Sequence, residues 1–196
     1  MTNDLTYDII VKILFFGGIL SIMEPDSIAK IVFLVILIVF SAYFSATETA
    51  FSTINRIRLK NAADNGDKKA GKVLKLAENY DKLITTVLVG NNIVNILASS
   101  IATVLFISIL KDNSLGSTVS TVVMTVVVLI FGEVCPKSLA KESPEKFARF
   151  SYPFIALLCV LLTPISAVLI GIRKLASMLI KTKDEAVITE DEILTF

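Results

Sequence analysis

The chain contains no histidine, which removes at once the commonest general base and the commonest transition-metal ligand. Cysteine is nearly as scarce. Cys135 and Cys159 are the two present; both lie in apolar surroundings without metal-ligand spacing, so neither a disulfide nor a zinc site is expected and both read as buried thiols. Any metal held here must be held by oxygens. No Gly-rich phosphate loop occurs, so nucleotide control is not expected within these residues. No internal repeat or low-complexity tract is visible, and no nucleic-acid partner is expected. Charge is thin as well: 19% of residues are charged against 54% hydrophobic, with a mean hydropathy of +0.75. That balance is too apolar for an ordinary soluble domain, and 196 residues suit one membrane domain.

What the chain does have is long uncharged runs: Ile31 to Thr47, Leu83 to Leu110, Asn113 to Gly132 and Phe150 to Ile172. A spanning helix needs about 20 mostly apolar residues. The first run is short but continues to Ser52 with one acid, Glu48. An earlier stretch, Ile9 to Met23, follows Asp4 and Asp8 where a signal peptide would carry positive charge, so it reads as an interfacial or short N-terminal helix.

The net charge of +1 conceals a segregation of the basic residues that sets the orientation. Between the first and second runs lie Arg56, Arg58, Lys60, Lys68, Lys69, Lys72, Lys75 and Lys82, whereas Lys111 alone lies between the second and third. The first loop is therefore expected in the cytoplasm, the second outside, and the N-terminus outside. After Gly132 come Lys137, Lys141, Lys146 and Arg149, basic again. The fourth run conflicts with a further crossing, because Arg173, Lys174, Lys181 and Lys183 follow it. With Pro153 and Pro164 limiting helix continuity, a re-entrant or interfacial hairpin on the cytoplasmic face is expected, with a conventional fourth span as the alternative.

Short cytoplasmic helices are expected around these runs. Asp64 to Asn79 reads as a helix with a glycine-containing start at Asn65-Gly66, and Ser143-Pro144 opens another with serine at the cap. Thr189 to Glu192 carries a capping-box pattern, as would the start of a further cytosolic domain.

Polar groups at membrane depth are costly and carry most of the functional information. Ser41, Ser45, Glu48 and Ser52 form one stripe on the first span. On the second, Asn91 and Asn95 share a face that Ser99 continues, with Asn92 turned about 100° away. Glu133 follows Gly132 and is the carboxylate joined directly to the third run. Pro136 has no N–H, so in an α-helix the Gly132 carbonyl loses its partner. A carboxylate, amide and hydroxyl oxygens and a free carbonyl make a hard shell suited to Mg²⁺ or Ca²⁺. The structural alternative is that serines line helix contacts and that the asparagines satisfy each other. Glu48 is expected at the cytoplasmic mouth of the cavity or paired with Arg56 or Arg58.

Three segments, Ser41-Ala-Tyr-Phe-Ser-Ala-Thr-Glu-Thr-Ala50, Gly90-Asn-Asn-Ile-Val-Asn95 and Phe131-Gly-Glu-Val-Cys-Pro-Lys137, resemble the CorC and cyclin M family of magnesium transporters. The resemblance covers roughly residues 30 to 196. It implies an all-α integral membrane homodimer whose subunits have three transmembrane helices and a cytoplasmic-side belt of short juxtamembrane or re-entrant helices. Residues 1–29 would be an N-terminal extracellular or interfacial segment, 30–182 the ion-transport domain, and 183–196 the start of a linker to a regulatory CBS pair that takes Mg²⁺-ATP. The resemblance further implies Mg²⁺ export from the cell across the plasma membrane, coupled to Na⁺ influx. The family's ion site maps onto Ser41 or Ser45, Asn91, Asn95 and Glu133, with carbonyls near Gly132.

Two other functions compete on the residues themselves. One is an intramembrane enzyme using Glu133 as acid or base; it lacks a histidine, an activated nucleophile and a second acid–base partner in the spans. The other is a passive anchor for a cytosolic domain.

Overall fold

The computed structural model describes residues 25–165, together with 168–169 and 171–172. The expected N-terminal helix and the tail from 183 onward lie outside the described residues, as do positions 166, 167 and 170 of the Phe150–Ile172 run. Every regular element described is helical: α1 (Pro25–Thr53), α2 (Arg56–Asp64), α3 (Lys68–Glu78), α4 (Tyr80–Leu110), α5 (Asn113–Val127), a π-helical segment (Val128–Val134), α6 (Cys135–Glu142) and α7 (Pro144–Leu161).

Three units are long and apolar enough to cross a bilayer: 26–53 within α1, α4, and the unbroken rod 113–142 formed by α5, the π segment and α6. At 28 to 31 residues each exceeds the roughly 20 that the hydrocarbon layer requires. Their outward faces carry large apolar side chains such as Val39, Ile96, Val122 and Phe131, all exposed, as contact with lipid demands.

Between the helices small residues do the packing, because helix association in lipid depends on close backbone approach. On α1, Ser41, Ser45, Thr47 and Ala50 are wholly buried. A Cβ placed on Gly90 of α4 would stand 2.7 Å from the Phe44 ring. A Cβ on Gly116 of α5 would stand 2.7 Å from the Ile107 backbone, so glycine lets α4 and α5 close into a hairpin. The turn of that hairpin is two residues long. Lys111 takes the left-handed conformation at φ 55°, and Asp112 caps α5 by accepting from the Leu115 N–H at 2.8 Å.

The belt differs in detail from the sequence expectation. The run 56–64, read as loop, is helix α2, capped by Asn55 accepting from the Arg58 N–H at 2.9 Å. The helix expected from Asp64 to Asn79 begins only at Lys68. Gly66 takes φ +94° in the turn, and Asp67 caps α3 by accepting from Lys69 and Ala70. Proline does open α7, but Ser143 makes no capping hydrogen bond there.

α7 stays with the belt. Its start is held by Glu145 to Arg58 (3.5 Å) and by Arg149, which donates to Asp67. Its middle packs Phe147, Phe150 and Phe154 around Tyr43, whose hydroxyl donates to the Ser151 carbonyl at 3.1 Å. Its far end, at Ala156 and Val160, lines a cleft with Lys75 and Lys82. Both ends thus lie beside basic residues of one membrane face, and the helix breaks at Leu162, two residues before Pro164. Cys159 is buried as expected; Cys135 is exposed, in a groove it shares with Val39, Ala42 and Tyr43 of α1, contrary to expectation.

The Asp67 contacts give a pH prediction. The Ala70 N–H and the Arg149 guanidinium hold this carboxyl below its ordinary value. A depressed carboxylate stabilises the fold fully above the unfolded value, and the gain is lost as pH falls through the folded one. The thermal midpoint of the detergent-solubilised protein should therefore drop below about pH 4. Asp67→Asn, which keeps a capping oxygen but removes the charge, should start lower and show a shallower drop. Parallel pH curves for the two proteins would disprove the assignment.

Candidate ion site

α1, α4 and the π segment meet at a small set of oxygens. Ser41 Oγ on α1 donates to Asn91 Oδ1 on α4 at 3.3 Å. Gly132 of the π segment presses on the same hydroxyl, since a Cβ there would stand 2.7 Å from Ser41 Oγ. Ser41 is wholly buried and Asn91 nearly so. Close by in sequence, one turn along each helix, Ser45 Oγ and Asn95 Oδ1 are buried without any hydrogen-bond partner. A buried polar atom left unpaired costs about 1–3 kcal/mol. Because α1 and α4 run antiparallel, with Ser52 meeting Tyr80 as Ser41 meets Asn91, the two orphan oxygens flank the Ser41–Asn91 contact, one turn to either side.

Glu133 adjoins this set from the third span. It shares with Asn95 a cleft of about 330 Å³ between α4 and the third span, lined further by Ser99, Thr103, Ser120, Thr121 and Thr125. The π segment places it there. In an unbroken α-helix Glu133 would lie about 120° round from Thr121. The wider register, seen in the Cys135 N–H donating to the Ile130 carbonyl five residues back, turns less per residue and brings the carboxylate toward the threonine face. Such π segments recur at functional sites.

The structure thus brings Ser41, Asn91 and Gly132 into one cluster and Asn95 and Glu133 into one cleft. Asn92 points outward and is exposed. The departure from α geometry is longer than expected, because the register widens already at Val128 and returns to α at Cys135. Pro136, inside this continuous rod, supplies no N–H, so a carbonyl of the preceding turn is left without its helical donor.

Glu48 is corrected too. Its partner is Lys137 of α6, at 3.2 Å, rather than Arg56 or Arg58. Arg56 lies over the Tyr80 ring, 5.8 Å from its centre, and Arg58 pairs with Glu145. Ser52 bonds the Tyr80 hydroxyl at 2.8 Å. The lower end of the α1 stripe is therefore structural; of its upper part, Ser41 meets Asn91, while Ser45, one turn toward the Glu48 end, is buried without a partner.

Among the described residues no three His, Cys, Asp or Glu side chains converge as a metal cluster. The donor set is one carboxylate with neutral oxygens, which fits a hard cation that keeps some of its water. Thr103, Ser120, Thr121 and Thr125 were absent from the sequence-derived set. Their four-residue spacing from Ser99 and toward Glu133 was the available signal.

Comparison with known proteins gives this arrangement a family. The family described as cyclin M transmembrane N-terminal domain matches residues 32–196. The UPF0053 inner membrane protein YfjD of Escherichia coli (strain K12) is 40% identical over 76% of this chain and 34% of its own length. A UPF0053 protein of Haemophilus influenzae is 38% identical over 68% of this chain and 31% of its own. A second Haemophilus influenzae protein, named polyamine export protein, is 30% identical over 59% of this chain and 29% of its own. The chain spans about a third of the length of the curated relatives it matches. With the match taking in the first span from residue 32, the whole of the second and third, and the site between them, this multi-pass membrane protein belongs to the cyclin M transmembrane domain family.

Proposed function

We propose that the domain transports Mg²⁺, binding it between the three spans through Glu133, Asn91, Asn95 and a serine of α1, with the Gly132 segment completing the shell. The observation that carries this reading is the buried, unpartnered Asn95 Oδ1, one turn from the Ser41–Asn91 contact and in the same cleft as the Glu133 carboxylate. A dehydrating Mg²⁺ needs several converging oxygens, and a site of formal charge −1 can strip water without trapping the ion.

The remaining parts of the reading rest on charge and family. The basic helices α2 and α3 belong in the cytoplasm of a cell whose plasma membrane the domain spans. The N-terminus is then outside and the C-terminus inside. Export would be coupled to Na⁺ influx in a homodimer, with Mg²⁺-ATP acting on CBS domains of the longer protein. An enzymatic use of Glu133 finds little support, because the cleft offers no second ionisable side chain to share a proton.

A relative's name makes polyamines the competing substrate. A polyamine carries several ammonium groups along its length and calls for several acids, whereas the cleft holds Glu133 alone. The test is flux in proteoliposomes containing the full-length protein, with Mg²⁺ and spermidine measured separately under an imposed Na⁺ gradient. Mg²⁺ movement that follows the Na⁺ gradient is the expected result. Movement of spermidine without Mg²⁺, or of neither, would overturn the proposal.

A further inference from the structure

Four of the five hydroxyls lining the cleft between α4 and the third span, those of Thr103, Ser120, Thr121 and Thr125, have their protons already committed. Thr103, Thr121 and Thr125 donate to the carbonyls of Ser99 (2.9 Å), Ser117 (2.9 Å) and Thr121 (2.7 Å), each four residues back. Such back-bonding is ordinary for threonine in a membrane helix. Its consequence here depends on the cavity, since what these side chains still offer is lone pairs. With the Thr103 proton engaged, the 3.2 Å contact between Thr103 and the buried Ser120 has Ser120 as donor, so that proton too is taken. At the inner end stand the unpartnered Asn95 Oδ1 and the Glu133 carboxylate. The oxygens of Thr103, Thr121, Thr125 and Ser120 therefore face the cleft as acceptors, with Ser99 Oγ–H and the Asn95 amide as the remaining donors and Met124, Val128 and Leu129 as the apolar part of the wall. With Glu133 at its inner end, the lining suits a cation and its waters better than an anion.

The placement is directional. Asn95, Ser99 and Thr103 climb α4 in four-residue steps of about 6 Å each, away from the site and toward Lys111. Thr125 and Thr121 climb the third span in the same direction from Glu133. We propose that this cleft is the outer passage of the transported cation, in which a partly hydrated ion moves between Asn95–Glu133 and the Lys111 turn by exchanging waters with serine and threonine lone pairs. The identity of the ion rests on the reading above. The passage itself rests on the orientation of the hydroxyls.

Two measurements test it on the full-length protein. With Cys135 and Cys159 replaced by alanine, Ser99→Cys and Thr121→Cys should react with a membrane-impermeant cationic methanethiosulfonate applied from the Lys111 side. Lys111→Cys serves as the accessible control. If the control reacts and both cleft positions stay silent, the cleft is dry, covered by lipid or by a second copy of the chain, and the passage is overturned. The second measurement uses Thr103→Val with Thr125→Val, which keep shape and remove lone pairs. Mg²⁺ flux should fall at least about tenfold while calorimetric Mg²⁺ binding changes less than about twofold. Equal loss of flux and binding would assign the hydroxyls to the ion site and overturn a separate passage, as would unchanged flux. Should wild-type protein carry no Mg²⁺ at all, the transport reading fails, and thiol labelling still decides whether the passage exists.

Discussion

Glu133→Gln is expected to weaken Mg²⁺ binding about 100-fold, equivalent to about 3 kcal/mol, and to abolish flux while leaving the protein folded. Glutamine keeps the size and one acceptor oxygen of the side chain, so packing in the π segment is preserved. What disappears is the charge, and no other carboxylate lines the cleft with it. Glu48 cannot substitute from its present position, because its carboxylate is engaged by Lys137 at 3.2 Å. Asn95→Ala should cost less, since water can replace one neutral ligand. Titration calorimetry on folded protein distinguishes the outcomes. Wild-type affinity in Glu133→Gln would move the charged ligand elsewhere, with Glu48 the first place to look after breaking its ion pair.

Gly132→Ala is expected to be nearly as damaging by a different route. The added methyl would stand 2.7 Å from Ser41 Oγ, 3.3 Å from Val128 Cγ1 and 3.4 Å from Ser41 Cβ. Ser41 is wholly buried and has no room to retreat without leaving Asn91. Overpacking of this kind costs about 1–3 kcal/mol, and the displaced hydroxyl should take Mg²⁺ binding with it. Pairing the change with Ser41→Ala separates the two effects. The double variant should regain thermal stability, because the clash is relieved, but should not regain binding. If Gly132→Ala alone unfolds and binds like wild type, the three-helix cluster is not the site.

The spans were legible because charge exclusion is the strongest rule in a bilayer, but their ends were not. Counting uncharged residues stopped the first run at Thr47, with a continuation past Glu48 to Ser52 that falls one residue short of the helix end at Thr53, and stopped the third at Gly132, whereas that helix continues to Glu142. They continue because Glu48 and Lys137 neutralise each other across the two ends, a pairing between residues far apart in sequence. α2 escaped notice because its contribution to the core is one side chain, Leu59, too little for a periodicity. The asparagines, serines and Glu133 could be singled out by the cost of burying them. The π register could not, since it belongs to the backbone and leaves only Gly132 and Pro136 as traces. The threonines of the cleft were hidden by their commonness, as hydroxyls that bond their own helix look like packing until a facing helix is in view.

The hairpin of α4 and α5 bears on how the protein is made. In the orientation proposed above, the tip of the α4–α5 hairpin must be carried once through the apolar layer during biogenesis. That tip is Lys111 and Asp112, of opposite sign, so the membrane potential does no net work on their transfer. The tip is closed by the Asp112 cap and by the close seating of Gly116 on Ile107. The second and third spans are thus fitted to enter the bilayer together, as one preassembled wedge, leaving the docking of Ser41 against Asn91 and Gly132 as the step that completes the ion site inside the membrane.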